Sequence, residues 1–339
     1  MAPTPVIAII LALTFGLLSV TSLQATTLFL PPSDVDVVGH IDTTTAFAED
    51  TLLDIARRYD FGQDEIVLAN PDVDRWLPGE GTTVVLPGRY VLPKAKRKGL
   101  VLNLPEMRLY FFTRTVGGKP TELVTHPVSV GRMDWKTPLG RTKIVSKQKD
   151  PSWYPPQSLK DEAAADGEVL PDVVKPGPDN PLGRYAIRLG LPGYLIHSTN
   201  KPFGVGMRVT HGCVRMYPED IEVLFDQIPV GTPVQIVNQP VKAGWLADTL
   251  FLEVHPPLEE NASGDFTELV MNTIADAISD SGIGRQVTLS GRAIRKAMEE
   301  RTGCLLYTSP SPRDQRPNLV LRHLLEKLGG GGGGGGGGG

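Results

Sequence analysis

Seven short runs rich in branched and aromatic residues, at 100–104, 107–112, 122–130, 141–146, 185–189, 194–197 and 232–237, constrain this chain more than any other feature. Each is bounded by Gly, Pro, Asn, Asp or charged residues and is too short for a helix of ordinary length, so they read as strands. They predict a mainly β domain over 100–240. One helix is expected inside it, at 218–228. Pro218 suits a first turn, Glu219 and Asp220 lie beside the positive end of the dipole, and Ile221, Leu224, Phe225 and Ile228 share one side. Between 151 and 181 there are seven prolines together with Trp153 and Tyr154. That segment is expected to be irregular, either a rim or lid over a site or an inert surface excursion.

Upstream, 40–93 reads as a separate small unit. Leu52, Ile55, Ala56 and Tyr59 recur at helical spacing from about Asp50, a second short helix is expected over 63–69 ahead of Asn70-Pro71, and a strand over 82–86. The run Lys94-Ala95-Lys96-Arg97-Lys98-Gly99 is read as a linker, 94–99, because a short like-charge run is usually solvated. Beyond 240 a C-terminal extension, 241–303, shows a strand at 249–254 and helices at 267–279 and 292–300, with no chemistry assigned.

Both ends are set apart from the fold. Residues 6–20 form an apolar run of 15 followed by Thr21-Ser22, so 1–25 reads as a signal peptide with cleavage after Ser22 or Ala25; an uncleaved anchor is the alternative. Either way the body is exported, and a periplasmic location is expected. Residues 304–339 are read as a non-native tail, since CLLYTSPSPRDQ (304–315) resembles translated adapter sequence and 329–339 is eleven glycines. A formal net charge of −4 and no basic run longer than 94–98 give no footprint for nucleic acid. Without the tail one cysteine remains, Cys213, in a compartment where paired cysteines are oxidised.

Cys213 lies in Thr210-His211-Gly212-Cys213-Val214-Arg215-Met216, and Tyr194-Leu195-Ile196-His197-Ser198-Thr199-Asn200 precedes it. A thiol with a pKa of ~8.5 is mostly protonated at neutral pH, and a neighbouring imidazole can accept its proton to make a nucleophile. Gly212 lets the backbone turn so that the amides around Cys213 point at one spot, where an oxyanion forms during attack on a carbonyl. Arg215 offers a fork for a carboxylate. Spacing alone leaves two other readings open. One is an inert buried cysteine with structural histidines. The other is zinc on His197, His211 and Cys213, which H-x-C spacing and the lack of a fourth Cys or His nearby disfavour. No metal and no cofactor are expected. His40, His126, His255 and His323 are read as structural or surface residues.

Two resemblances sharpen this reading. FAEDTLLDIARRYDFGQDEIVLANPDVDRWLPGEGTTVVLP (47–87) resembles a LysM module, a small βααβ unit that binds the N-acetylglucosamine backbone of wall glycans, with Glu49 where many such modules have Gly. HSTNKPFGVGMRVTHGCVRM (197–216) resembles the active-site signature of L,D-transpeptidases with a YkuD-type, β-sandwich-like catalytic domain. With the GPDNPLGRYAIRL run (177–189), the chain is most similar to the periplasmic subgroup that joins an outer-membrane lipoprotein to peptidoglycan. The resemblance implies Cys213 as nucleophile, His197 as its base oriented by the Ser198 carbonyl, and an oxyanion hole from the backbone of His211 to Cys213 including Gly212. It places Thr210 and Arg215 at substrate-binding positions, and Ser198 where Gly is common.

The implied partners are peptidoglycan stem peptides and glycan, a lipoprotein lysine or a second diaminopimelate as acceptor, and a periplasmic thiol reductant. Acylation of Cys213 by carbapenems is implied as well. A non-catalytic glycan-binding protein, or a hydrolase that cuts the lipoprotein link, uses the same residues and remains the alternative.

Overall fold

The computed structural model describes residues 27–32, 35–113, 115–117, 119–247, 249–262, 264–280, 288–304 and 306–307. The leader read over 1–25 lies outside them, as does most of the tail. Leu306–Tyr307 is a two-residue strand against Thr249–Val254. No helix among the described residues is long and apolar enough to cross a membrane.

A nine-stranded sheet organises the molecule. Its order is Thr27–Phe29, Glu122–Pro127, Arg108–Phe112, Gly99–Asn103, Pro233–Val237, Gly140–Lys149, Tyr185–Leu189, Leu195–His197 and Val214–Arg215. The ten-residue strand Gly140–Lys149 is its elbow. Residues 140–143 pair with Pro233–Val237 and 144–149 pair with Tyr185–Leu189, with a register shift between Ile144 and Ser146. Such a bulge raises the local bend and twist. The sheet curls until its arms face each other, and a bridge between Ser129 and Arg215 joins them, with N–H to O distances of 2.8 and 3.0 Å. Val130–Gly131 runs parallel to Arg208–Thr210 along the same seam.

Strand alternation explains the two faces. Leu100, Leu102, Leu109 and Phe111 point inward from one arm and meet Tyr185, Ile187, Ile196 and Val214 of the other, with Ile221, Leu224 and Ile228 of the helix Pro218–Gln227. Val101, Tyr110, Phe112 and Leu123 point outward, yet they too are buried, because the N-terminal unit covers them with Leu52, Ile55, Phe61, Ile66 and Leu86. That unit contains the helices Leu52–Arg58 and Gln63–Ala69 between paired strands Asp42–Thr45 and Thr83–Leu86. Its first helix begins at Thr51, whose hydroxyl accepts from the Asp54 N–H while the Asp54 carboxylate accepts from the Thr51 N–H.

The segment 94–99 is seated along the sheet. Lys94 and Lys96 N–H groups donate to Gln239 and Gln235 side chains at 2.8 and 3.1 Å, and Arg97 pairs with Asp36 at 3.0 Å. The final unit has its own core, built from the hairpin Val241–Leu246 and Thr249–Val254 under the helices Phe266–Asp280 and Gly291–Glu300. The expected irregular excursion at 151–181 contains the helix Gln157–Ala165, none of whose residues is buried.

Candidate active site

Period-2 alternation places the site's side chains. In the arm that ends at the seam, Ile187, Ile196 and Val214 are neighbours across strands and all face the core. The residues one position away must therefore face out. Arg188 lies opposite Leu195, Ala186 opposite His197, and His197 opposite Arg215, so Arg188, His197 and Arg215 share the outer face. Cys213 immediately precedes the last of these strands. The excursion folds over this face and closes a cleft of about 650 Å³, lined by Trp153, Tyr154, Glu162, Arg188, His197 and Cys213 among others.

His197 is 6% exposed, and its Nδ1 lies 2.6 Å from the Ser198 carbonyl oxygen. Only a protonated nitrogen satisfies a carbonyl at that distance, which leaves the lone pair on Nε2. Burial first, and then the Arg215 charge, lower the ring's pKa to about 4, so the imidazole is neutral near pH 7. Cys213 Sγ donates to the Gly193 carbonyl at 3.6 Å. Burial pushes its thiol up, opposed by the Leu195 backbone N–H and by Arg215 and Arg188. The resting pair is thus thiol and neutral imidazole, with two guanidinium groups and one amide biased toward the thiolate.

The turn between them is fixed by contacts on every side. Gly212 has φ +96°, and a Cβ there would sit 2.9 Å from Tyr194 Cε1, so glycine is required both by conformation and by space. Thr137 Oγ1 donates to the Gly212 carbonyl at 2.8 Å and accepts from Gly131 N–H at 3.0 Å. Thr210 is buried, and its hydroxyl donates to the Cys213 carbonyl at 2.5 Å, so it holds the turn shut. His211 points to the excursion: its Nε2 is 3.0 Å from Glu162 Oε2, and its ring meets Trp135 edge-on at 5.3 Å. Arg132 also bonds Glu162, and Arg132 and then His211 hold that carboxyl below the usual carboxylate range.

His197, Ser198, Thr210, His211, Gly212, Cys213 and Arg215 gather at one place in the fold. Glu162, Arg188 and the Leu195 amide were not read from the sequence. Arg188 had a signal, a charge inside the apolar strand Tyr185–Leu189, whereas Glu162 lies 49 residues before His211 in a proline-rich stretch and had none. Among the described residues, no group of three potential metal ligands includes Cys213, His197 or His211.

Similarity to known proteins agrees with this geometry. The model of the L,D-transpeptidase catalytic domain, YkuD, matches residues 97–236. The chain is 41% identical over 236 residues to the probable L,D-transpeptidase ErfK/SrfK of Salmonella typhimurium, covering 68% of this chain and 75% of that protein. It is 37% identical over 285 residues to the probable L,D-transpeptidase YbiS of Escherichia coli, covering 83% of this chain and 91% of that one. Among solved structures, an L,D-transpeptidase from Mycobacterium smegmatis is 19% identical, with 48% of this chain and 64% of that chain covered at a TM-score of 0.32. At these identities to ErfK/SrfK and YbiS, over three quarters or more of each relative, the chain belongs to the L,D-transpeptidases with a YkuD catalytic domain.

Proposed function

We propose that this protein is an exported, cysteine-dependent L,D-transpeptidase of the cell wall that acts on peptidoglycan tetrapeptide stems. Cys213 is the nucleophile. His197 Nε2 takes the thiol proton as Sγ attacks the carbonyl of the third stem residue, diaminopimelate. The oxyanion forms against the backbone N–H groups of 211–213. Collapse breaks the bond to the terminal D-alanine, whose amine leaves with the proton from the imidazolium, and a thioester remains. An acceptor amine then attacks the thioester, gives its proton to His197 and releases the thiolate. Arg215 and Arg188 are suited to substrate carboxylates, whereas the Thr210 hydroxyl, committed to the Cys213 carbonyl, positions the turn.

The observation that carries this reading is the His197 ring, locked by Ser198 so that its basic nitrogen is Nε2, in the same cleft as the family's cysteine. The cleft is also bipolar, with Arg188 and Arg215 on the strand side and Glu162, Asp166 and Glu168 on the lid side. That polarity suits a donor carboxylate on one wall and an acceptor ammonium on the other. In the same reading the unit 40–93 is a LysM-like glycan module, residues 1–25 direct export to the periplasm, and a periplasmic reductant restores the lone thiol after oxidation. The acceptor in this reading is an amine, either a lipoprotein lysine or the side chain of a second diaminopimelate. The test is a competition in which the enzyme receives a disaccharide tetrapeptide with a lysine-ended lipoprotein peptide, a second stem, or buffer. A product on an amine is expected; on lysine it makes the lipoprotein the acceptor, a 3–3 cross-link alone makes diaminopimelate the acceptor, and release of D-alanine alone makes the enzyme a carboxypeptidase.

A further inference from the structure

A second buried histidine plays no part in the thiol chemistry. His126, on the strand Glu122–Pro127, has 1% of its side chain exposed, and its Nδ1 faces Asp60 Oδ2 and Asp220 Oδ1, each at 3.6 Å. Asp60 comes from the turn that ends the helix Leu52–Arg58, where its φ of 60° reverses the chain, and Asp220 from the first turn of Pro218–Gln227. His126 Nδ1, which faces both carboxylates, is buried without a hydrogen-bond partner, as are the other oxygen of each carboxylate, Asp60 Oδ1 and Asp220 Oδ2, and the nearby Arg108 Nε. Elements from both the N-terminal unit and the sheet thus converge on one spot with polar atoms unsatisfied, which native interiors rarely tolerate.

The spacing separates the candidate occupants. At 3.6 Å the groups do not hydrogen-bond to one another. A central water ~2.8 Å from each would see nitrogen and oxygen at an angle of about 80°, well under tetrahedral. An ion ~2.1 Å from each would see them at about 120°, an ordinary angle between metal ligands. Charge points the same way. Near the two carboxylates Arg108 is already 2.6 Å from Glu65 and Arg57 is engaged with Glu219 at 2.8 Å, so the ion takes the place of a proton on His126 Nδ1, which leaves as the ion binds.

The geometry points to a divalent-cation site formed by Asp60, His126 and Asp220, of the mixed imidazole and carboxylate kind that takes Zn²⁺ or Mn²⁺. The ion ties the N-terminal unit to the sheet and to the helix that follows the Cys213 turn. Its role is structural. Nearby, the Tyr217 hydroxyl donates to the Phe61 carbonyl at 3.0 Å across the same junction.

The test uses the full chain with Cys213→Ala, so that the thiol cannot take up metal. It is loaded with zinc sulfate or manganese chloride, dialysed and measured by plasma mass spectrometry and thermal melting. About one ion per chain is expected, with a Tm more than ~3 °C above the chelator-treated protein. Asp220→Asn and His126→Gln in that background should each abolish both effects. Failure of Zn²⁺ and Mn²⁺ to bind or to move Tm overturns the proposal without recourse to those variants, and one ion retained in both variants overturns the ligand assignment.

Discussion

His197 and His126 are both buried on strands of one sheet, and their surroundings drive them apart. At the seam, His197 meets a backbone carbonyl and the positive Arg215, so its ring stays neutral near pH 7 and keeps a lone pair on Nε2. At the junction with the N-terminal unit, His126 meets two carboxylates, whose charges overcome burial and favour positive charge there: a proton on the ring, or in its place the proposed metal ion. Burial alone does not decide what a histidine does; the sign of its neighbours does. In the proposed mechanism the seam moves a proton, and in the proposed cation site the junction holds a charge.

The widest separation between the regions should appear in activity. Cys213→Ala should lower transfer by ~10⁴-fold or more while leaving the melting temperature near that of the parent, because the side chain lost is small and half-buried. Product formation and calorimetry on the same samples measure both. At the junction the effect falls on stability instead: His126→Gln leaves two carboxylates facing each other in the interior and should cost about 3–5 kcal/mol, read from urea unfolding.

Acid should distinguish the two histidines more finely. An unfolded histidine titrates near 6.5 and folded His197 at about 4, so the unfolded chain binds the proton first, and stability is lost as pH falls between those values. The loss attributable to this ring is roughly 3 kcal/mol over that window, and His197→Gln should remove it. A smaller effect concerns the thiol. Since burial pushes Cys213 up and His197 is a weak base at rest, alkylation by iodoacetamide should keep rising past ~8.5, the ordinary thiol range. A rate already level through neutral pH would mean a resting thiolate–imidazolium pair. Smallest of all, Val169→Thr, at a lid residue 94% exposed, should change stability by less than ~0.5 kcal/mol in chemical denaturation.

The seam was far more legible in the sequence than the junction. His197 and Cys213 sit in two short segments whose residue types announce a thiol, a base and a tight turn, and Tyr185–Leu189 and Thr249–Val254 have the bounds that the apolar runs indicate. The expected run 122–130 splits at Pro127, where the chain leaves one arm of the sheet to bridge to the other. Arg208–Thr210 and Val214–Arg215 are too short to show alternation and exist because of partners distant in sequence. Val241–Leu246 was hidden by Lys242 and Gly244, and the helix Gln157–Ala165 by having no apolar side to bury. Asp60, His126 and Asp220 come from three elements that only the closed fold brings together, so no local pattern marks them, and His126 read as a structural or surface residue.

The covalent role of Cys213 is tested most directly by the intact mass of the protein during turnover of a disaccharide tetrapeptide without acceptor. The proposed mechanism predicts an adduct equal to the donor less D-alanine, mapped by peptide digestion to Cys213 and discharged when a lysine peptide is added. Transfer that proceeds at the parent rate in Cys213→Ala, or an adduct on another residue, would contradict it.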